Sequence, residues 1–253
     1  MMEKFTLEIC VDSVESAINA QKGGANRLEL CSNLIIGGTT PTKSLFEEVK
    51  KNVDIPVNVL IRPRFGDFLY SPYESDIIKN EVEMFKKLGA DGIVVGVLTE
   101  NGEIDTVNMK KIIEKSENIP ITFHRAFDVC KDPVKAYYEL KELGVKIILT
   151  SGQEENCLKG KKNLKKLVTL SNNDKNNSPE ILIGGGLNIN NISEIAKYTK
   201  GTSFHFSAKK IKKSKMIYKN ENVNMGLKEF SEFEIIETDM KLVREMSAYL
   251  KSI

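Results

Sequence analysis

Two hydrophobic periods alternate along the chain. Short runs rich in Val, Ile, Leu and Phe recur at 5–10, 26–31, 57–62, 92–97, 120–124, 146–150, 180–184 and 202–206. Their brevity and their β-branched and aliphatic content read as strands. Longer stretches between them carry apolar residues three and four apart, the period of a half-buried helix. Ser13–Lys22 presents Val14, Ala17, Ile18 and Gln21 on one face and stops at Gly23-Gly24. Ser75–Leu88 carries Ile77, Ile78, Val82, Phe85 and Leu88 and stops at Gly89. Asp132-Pro133 opens a third helix, with Val134, Tyr137, Tyr138, Leu140 and Leu143, that stops at Gly144. An opening proline and a closing glycine are the expected helix punctuation. Eight strands alternating with helices over 253 residues predict one α/β domain, 1–253, folded as a parallel (β/α)8 (TIM) barrel. A doubly wound open sheet is the rival, but no Gly-x-Gly-x-x-Gly follows the first strand. Two segments read as solvated surface: the polar run Ser171–Ser178, and the basic run Lys209–Lys219 after the last strand.

Composition narrows the function classes. The 37 basic and 35 acidic residues leave a formal charge of +2. That balance predicts no nucleic-acid partner and no acidic-membrane partner. No run of about 18 apolar residues exists, and the start of the sequence shows no secretion signal. The four cysteines, Cys10, Cys31, Cys130 and Cys157, form no Cys-x-x-Cys pair. They predict free thiols in a reducing, cytoplasmic setting. Cys130, after a strand end, and Cys157, read as part of a lysine-rich helix, are taken as structural.

The chemistry gathers where strands end. The chain has only two histidines, His124 in Thr-Phe-His-Arg-Ala-Phe-Asp and His205 in Ser-Phe-His-Phe-Ser. Both fall at strand ends, where α/β proteins build their sites. Residues i and i+2 of a strand share a face, so Glu8 lies with Cys10, and Glu29 with Cys31. The first two strands would be neighbours, which brings Cys10 and Cys31 towards each other near the mouth. Carboxylates inside a barrel are costly unless paired or ligand-bound. Arg27, Arg62, Arg64 and Arg125 supply cations at or near strand ends. These charges read either as an ion-pair network that closes the barrel or as groups that bind something. Arg62-Pro63-Arg64 forms a stiff fork suited to carboxylate or phosphate. Gly184-Gly185-Gly186, with His205 and Ser207 after the last strand, occupies the usual phosphate position of such barrels. Gly37–Thr42 reads as a flexible loop, a candidate lid.

The same pieces resemble the CutC family of copper homeostasis proteins. They are LEIC with Asp12-Ser13, GANRLELCSNL followed by GGTTP, IRPRFGDF with Tyr70, DGIVVGVL, TFHRAFD, LTSG, IGGG and FHFSA, in that order. The resemblance implies a cytoplasmic barrel that assembles as a homo-oligomer, a dimer or tetramer, and that handles copper. It also implies Cys10 and Cys31 as candidate Cu(I) ligands; a metal-binding reading then expects His124 or His205 nearby. Two thiolates suit that soft ion. No organic cofactor is expected. The alternative is a lyase, isomerase or hydrolase acting on a small phosphorylated or carboxylated metabolite. Glu8, Glu29 and His124 would then serve as acid and base, with Asp128 orienting His124 or Arg125. The anion would be held by Arg27, Arg62, Arg64, Arg125, Gly184, Gly185, Gly186, His205 and Ser207.

Overall fold

The computed structural model describes residues 5–173, 178–220, 222, 223, 225 and 230–253. Eight parallel strands close into a barrel: β1 (Thr6–Val11), β2 (Arg27–Leu30), β3 (Val57–Leu60), β4 (Gly92–Val95), β5 (Ile121–Phe123), β6 (Ile147–Thr150), β7 (Glu180–Ile183) and β8 (Ser203–Phe206), with β8 pairing back onto β1. Helices α1 (Val14–Gly23), α2 (Lys43–Asn52), α3 (Pro72–Lys87), α4 (Thr106–Ser116), α5 (Pro133–Glu142), α6 (Lys161–Asn173) and α7 (Ile192–Thr199) connect them in turn. A two-stranded antiparallel ribbon, β9 (Lys209–Lys213) with β10 (Glu234–Thr238), precedes the last helix, α8 (Met240–Ser252).

Local chemistry sets the boundaries. The Ser13 side chain accepts the Ser16 N–H and starts α1, and Gly24 at φ 98° ends it, where a Cβ would be strained. The third helix starts earlier than its apolar period suggests. Ser71 and Glu74 form a reciprocal capping box around Pro72, so the first turn is fixed by caps and not by hydrophobic residues. The basic run after β8 is exposed, as expected, but its first half is a strand. Lys209–Lys213 is stabilised by facing the acidic β10, with Lys210 opposite Glu237. The polar run before β7 is helical over 171–173, where α6 continues, and its residues 174–177 lie outside those described. Cys157 is not on a helix; it lies in the turn before α6, buried, with its N–H on the Gly185 carbonyl. Gly37–Thr42 is pinned rather than loose. Thr39 bridges to Ser32, Arg62 bonds the Gly37 and Gly38 carbonyls, and Thr42 caps α2.

Strand alternation separates two compartments. Leu7, Ile9, Val11, Leu28, Leu30, Val59, Ile93, Phe123, Ile148, Ile181 and Phe204 face the helices and join one core with Phe46, Ile78, Phe85 and Met246. The alternate residues face the barrel axis. There Cys31, Leu60 and Val94 form one small apolar cluster and Ile147, Leu149 and Leu182 another. The rest of the interior is polar, with Glu8, Glu29, Asn58, Thr122 and His124 buried in it. Glycines make room for these larger groups. A Cβ on Gly92 would sit 2.3 Å from Asn58 Oδ1, and one on Gly96 2.6 Å from the His124 ring. Gly96 has no positive φ, so Gly96→Ala tests this packing alone. The substitution is expected to cost about 1–3 kcal/mol in urea unfolding and to displace the His124 side chain; an unchanged midpoint would contradict the close approach.

Candidate functional site

Glu8 is the centre of the interior. It is fully buried, and the register places it beside Arg27 of β2 on one side and His205 of β8 on the other. Its Oε2 accepts from Arg27 Nε at 2.5 Å and Asn58 Nδ2 at 3.3 Å, and its Oε1 lies 2.8 Å from His205 Nδ1. Burial alone would raise its pKa. The Arg27 charge and the His205 contact more than reverse that and hold it at about 2. Burial likewise pulls the His205 pKa down, but the Cys10 sulfur, Glu8 and Glu29 outweigh it and leave the ring well above its ordinary value. His205 is therefore an imidazolium between acids. Glu29, one layer up opposite Cys10, is different. Burial, helped by the Glu8 charge and opposed by His205, pushes it up to about 7. Its Oε2 and the Arg27 Nη2 are buried without hydrogen-bond partners.

The two thiols lie in the same interior. Cys10 Sγ is 3.9 Å from the Phe206 carbonyl and Cys31 Sγ 3.6 Å from that of Val11. Both are free and buried. Burial, with Cys10 and Glu29 adding to it, keeps the Cys31 thiol well above its ordinary pKa. Cys10 is the Cα partner of Glu29, so Cys31, the residue just past the end of β2, stands two residues further along the chain. Strand spacing and rise then put the Cα atoms of Cys10 and Cys31 about 8 Å apart. That is beyond the reach of an unstrained disulfide, yet both side chains point to the same space.

The rim of the barrel carries a second set. His124 caps the short turn Arg125–Val129, its Nδ1 accepting the Ala126 N–H at 3.2 Å. That contact assigns the ring proton to Nε2, which is buried without a partner. Burial and the neighbouring Arg62 charge press the His124 pKa down to about 3, so the ring is neutral. Asp128 orients Arg125, not His124. It accepts from Arg125 Nε at 2.6 Å, from Thr150 Oγ1 at 2.5 Å, and from the Ser151 and Gln153 backbone, which fills its acceptor sites. Arg64 does not converge with Arg62. It bonds Glu74, Asp67 and the carbonyls of its own loop. The Gly184 N–H is taken by the Thr150 carbonyl, and Gly185 packs against Arg125 and Ser151. Ser207 is half-buried, on the same face as His205. Arg27 begins β2, at the far end of that strand from the rim. The expected single mouth is thus two layers: Glu8, Arg27, Glu29, Cys10 and His205 inside, and Arg62, His124, Arg125 and Asp128 above.

The CutC family's sequence profile matches residues 5–210, which takes in all eight barrel strands. The chain belongs to the CutC family. A mouse (Mus musculus) relative named copper homeostasis protein cutC homolog is 42% identical over 250 residues, 98% of this chain and 90% of its own. A family protein CutC of Bacteroides thetaiotaomicron is 46% identical over 226 residues, 89% of each chain. The solved structure of a CutC protein from Streptococcus agalactiae superposes with a TM-score of 0.74 at 33% identity, covering 79% of this chain and 97% of its own. In this CutC chain the ligand atoms of Glu8, Glu29 and His205 also lie within 4.8 Å of one another. As a hard-metal set they are compromised, because Glu8 is already held by Arg27 and His205.

Sequence reasoning missed Asn58 and Gly96. The signal for Asn58 was a lone amide in an otherwise apolar strand, at an inward register position. Gly96 carried none, because its role is to leave space.

Two tests follow from the geometry. Glu8, with a folded pKa below its ordinary 4.5, adds stability that is full above pH 4.5 and is lost as pH falls towards 2. Glu29, with a folded pKa raised to about 7, subtracts stability as pH rises from 4.5 to 7. Glu29→Gln is therefore expected to be more stable than the parent at pH 8, by about 3 kcal/mol, with the gap closing by pH 4.5. Parallel urea-unfolding curves of stability against pH would contradict this. Separately, mild oxidation with diamide should leave Cys10 and Cys31 unlinked in peptide mapping of the native protein; a rapid Cys10–Cys31 disulfide would contradict the register.

Proposed function

We propose that the chain handles copper, taking Cu(I) between Cys10 and Cys31 inside the barrel. The observation that carries this reading is the pair of free, buried, inward-facing thiols on adjacent strands, offset by two residues. The offset suits a bridging ion better than a disulfide. Soft sulfur donors select Cu(I) over the hard ions that carboxylates prefer. A thiol in an apolar surround stays protonated until a metal takes the proton's place, and the high Cys31 pKa fits that exchange. Glu29, unpaired at Oε2 and opposite Cys10, is suited to receive the released proton. The imidazolium of His205 lies beside them, so it supports the charge balance and is not itself free to ligate while Glu8 holds it.

The names of the mouse and Bacteroides relatives support the reading, since both belong to the family whose name is copper homeostasis or CutC. Its setting would be a reducing compartment, the cytoplasm, where free thiols and Cu(I) persist, with the protein as a homo-oligomer of two or four chains. No helix among the described residues is long and apolar enough to cross a membrane. An enzyme acting on an anionic metabolite finds less support. Asp128 has its acceptor sites filled, and Glu8 is locked between two cations.

Competition against a Cu(I) chelator under anaerobic conditions tests the proposal. Tight one-to-one binding is expected in the parent and its loss in Cys10→Ser with Cys31→Ser, while Cys130→Ser with Cys157→Ser leaves affinity unchanged. Equal affinity in all three proteins would end the copper reading.

A further inference from the structure

Arg62 differs from the other arginines at the barrel ends. Arg27 pairs with Glu8, Arg64 with Glu74 and Asp67, and Arg125 with Asp128. Arg62 is the most buried of the four, 8% exposed, and no salt bridge to a carboxylate is formed by it among the described residues. Its Nη1 donates to the Gly37 and Gly38 carbonyls at 3.3 and 3.0 Å and its Nη2 to Gly66 at 2.9 Å. Its Nε–H meets no acceptor in good hydrogen-bond geometry, with the Tyr70 hydroxyl close to the guanidinium. A buried cation without a counter-charge is strongly unfavourable.

The neighbouring groups share the same deficit. His124, 5% exposed, has an unpartnered Nε2–H, and Tyr70, 9% exposed, has a buried hydroxyl that meets only the Arg62 guanidinium, outside good hydrogen-bond geometry. Phe68 joins them physically: the Arg62 guanidinium lies 5.2 Å from its ring centroid and the His124 ring 4.8 Å. An isolated buried orphan is usually met by an ordered water. The Tyr70 hydroxyl oxygen meets the Arg62 guanidinium only in part and brings no charge, so the buried cation and the His124 Nε2–H beside it still call for an acceptor that carries charge.

We infer that the rim between β3 and β5 binds a small oxyanion, a carboxylate or phosphate group, through Arg62 Nε–H and His124 Nε2–H. The Arg62 guanidinium supplies the counter-charge. The neutral His124 ring supplies a directed hydrogen bond without a second charge, which matches a singly charged group. Tyr70 flanks Arg62. Phe68 covers the site, its carbonyl holding the Leu98 N–H, so the ligand enters as the 63–70 loop lifts. That loop carries the exposed Phe65 and Leu69 and turns at Gly66 with φ 98°. The inference does not rest on the copper reading, since none of its groups is a thiol.

The chain has two histidines, so their ring nitrogens are separable in nitrogen-15 spectra of the imidazoles. Protein dialysed free of oxyanions is titrated with inorganic phosphate and, separately, with acetate. The expected result is a saturable shift of the His124 Nε2–H resonance with His205 unmoved, for one or both anions; which anion binds more tightly identifies the class. A melting temperature that rises with the same anion is expected alongside it. His124→Phe, which keeps the ring shape but removes the donor, should weaken the melting-temperature response about tenfold. Arg62→Lys, which keeps the charge but loses the Nε–H, should weaken both responses. If Arg62→Lys does not fold, the parent and His124→Phe titrations decide the matter. No shift with either anion, or a response unchanged in His124→Phe, would leave an ordered water as the donors' partner and overturn the inference.

Discussion

The barrel depends on how it tolerates Glu8. A carboxylate with no solvent exposure is unfavourable by several kcal/mol unless cations and donors surround it. Here three strands supply them in register: Arg27 from β2, Asn58 from β3 and His205 from β8. The closure of β8 onto β1 therefore carries an ion pair as well as a hydrogen-bond ladder. Removing Arg27 or His205 takes away a counter-charge from the buried carboxylate, which is the expensive way to break such a network. The same constraint explains the glycines of the inner wall. Gly92 and Gly96 lie where Asn58 and His124 occupy the space a Cβ would take, and Gly184 where Leu149, with His205 behind it, does.

Charge is balanced unevenly along the barrel axis, and function follows the imbalance. At the level of Glu8 the pairing is close to complete. One layer up, Glu29 keeps an unpaired oxygen beside Cys10, and the thiol of Cys31 stays protonated by burial. On the proposed copper reading, that layer would exchange protons for a soft cation while the pairs below stay in place. At the rim, Arg62 and His124 present donors without acceptors. The molecule thus has a proton-rich, sulfur-bearing interior and a positive, donor-rich rim, two environments suited to different ligands.

Much of this was legible in the sequence. The alternation of strand and helix periods gave all eight barrel strands to within two residues at each end, because each strand is short, apolar on its outward face and followed by a punctuated helix. That Glu8 shares a face with Cys10, and Glu29 with Cys31, followed from the two-residue period; that this face is the inner one came from the closed barrel and its pairing cations. The antiparallel ribbon did not, because β9 is stabilised by charges on β10, more than twenty residues away, and not by its own apolar content. The pairing of polar groups was also hidden. Arg64 and Arg62 are two residues apart and look equivalent, yet one faces its own loop and the other is buried. Asp128 looked like a partner for His124, but the turn it sits in aims it at Arg125 and the end of β6. Motifs fix which residues reach a strand end; only the closed barrel decides which of them meet.

The proposed copper reading stands on sulfur from Cys10 of β1 and Cys31, at the end of β2, being the donor to the ion. X-ray absorption at the copper edge of the Cu(I)-loaded protein tests that directly. A first shell dominated by two sulfur atoms, absent when Cys10 and Cys31 are both serine, is the expected result. A shell of nitrogen and oxygen atoms, or a spectrum indifferent to those two residues, would contradict it.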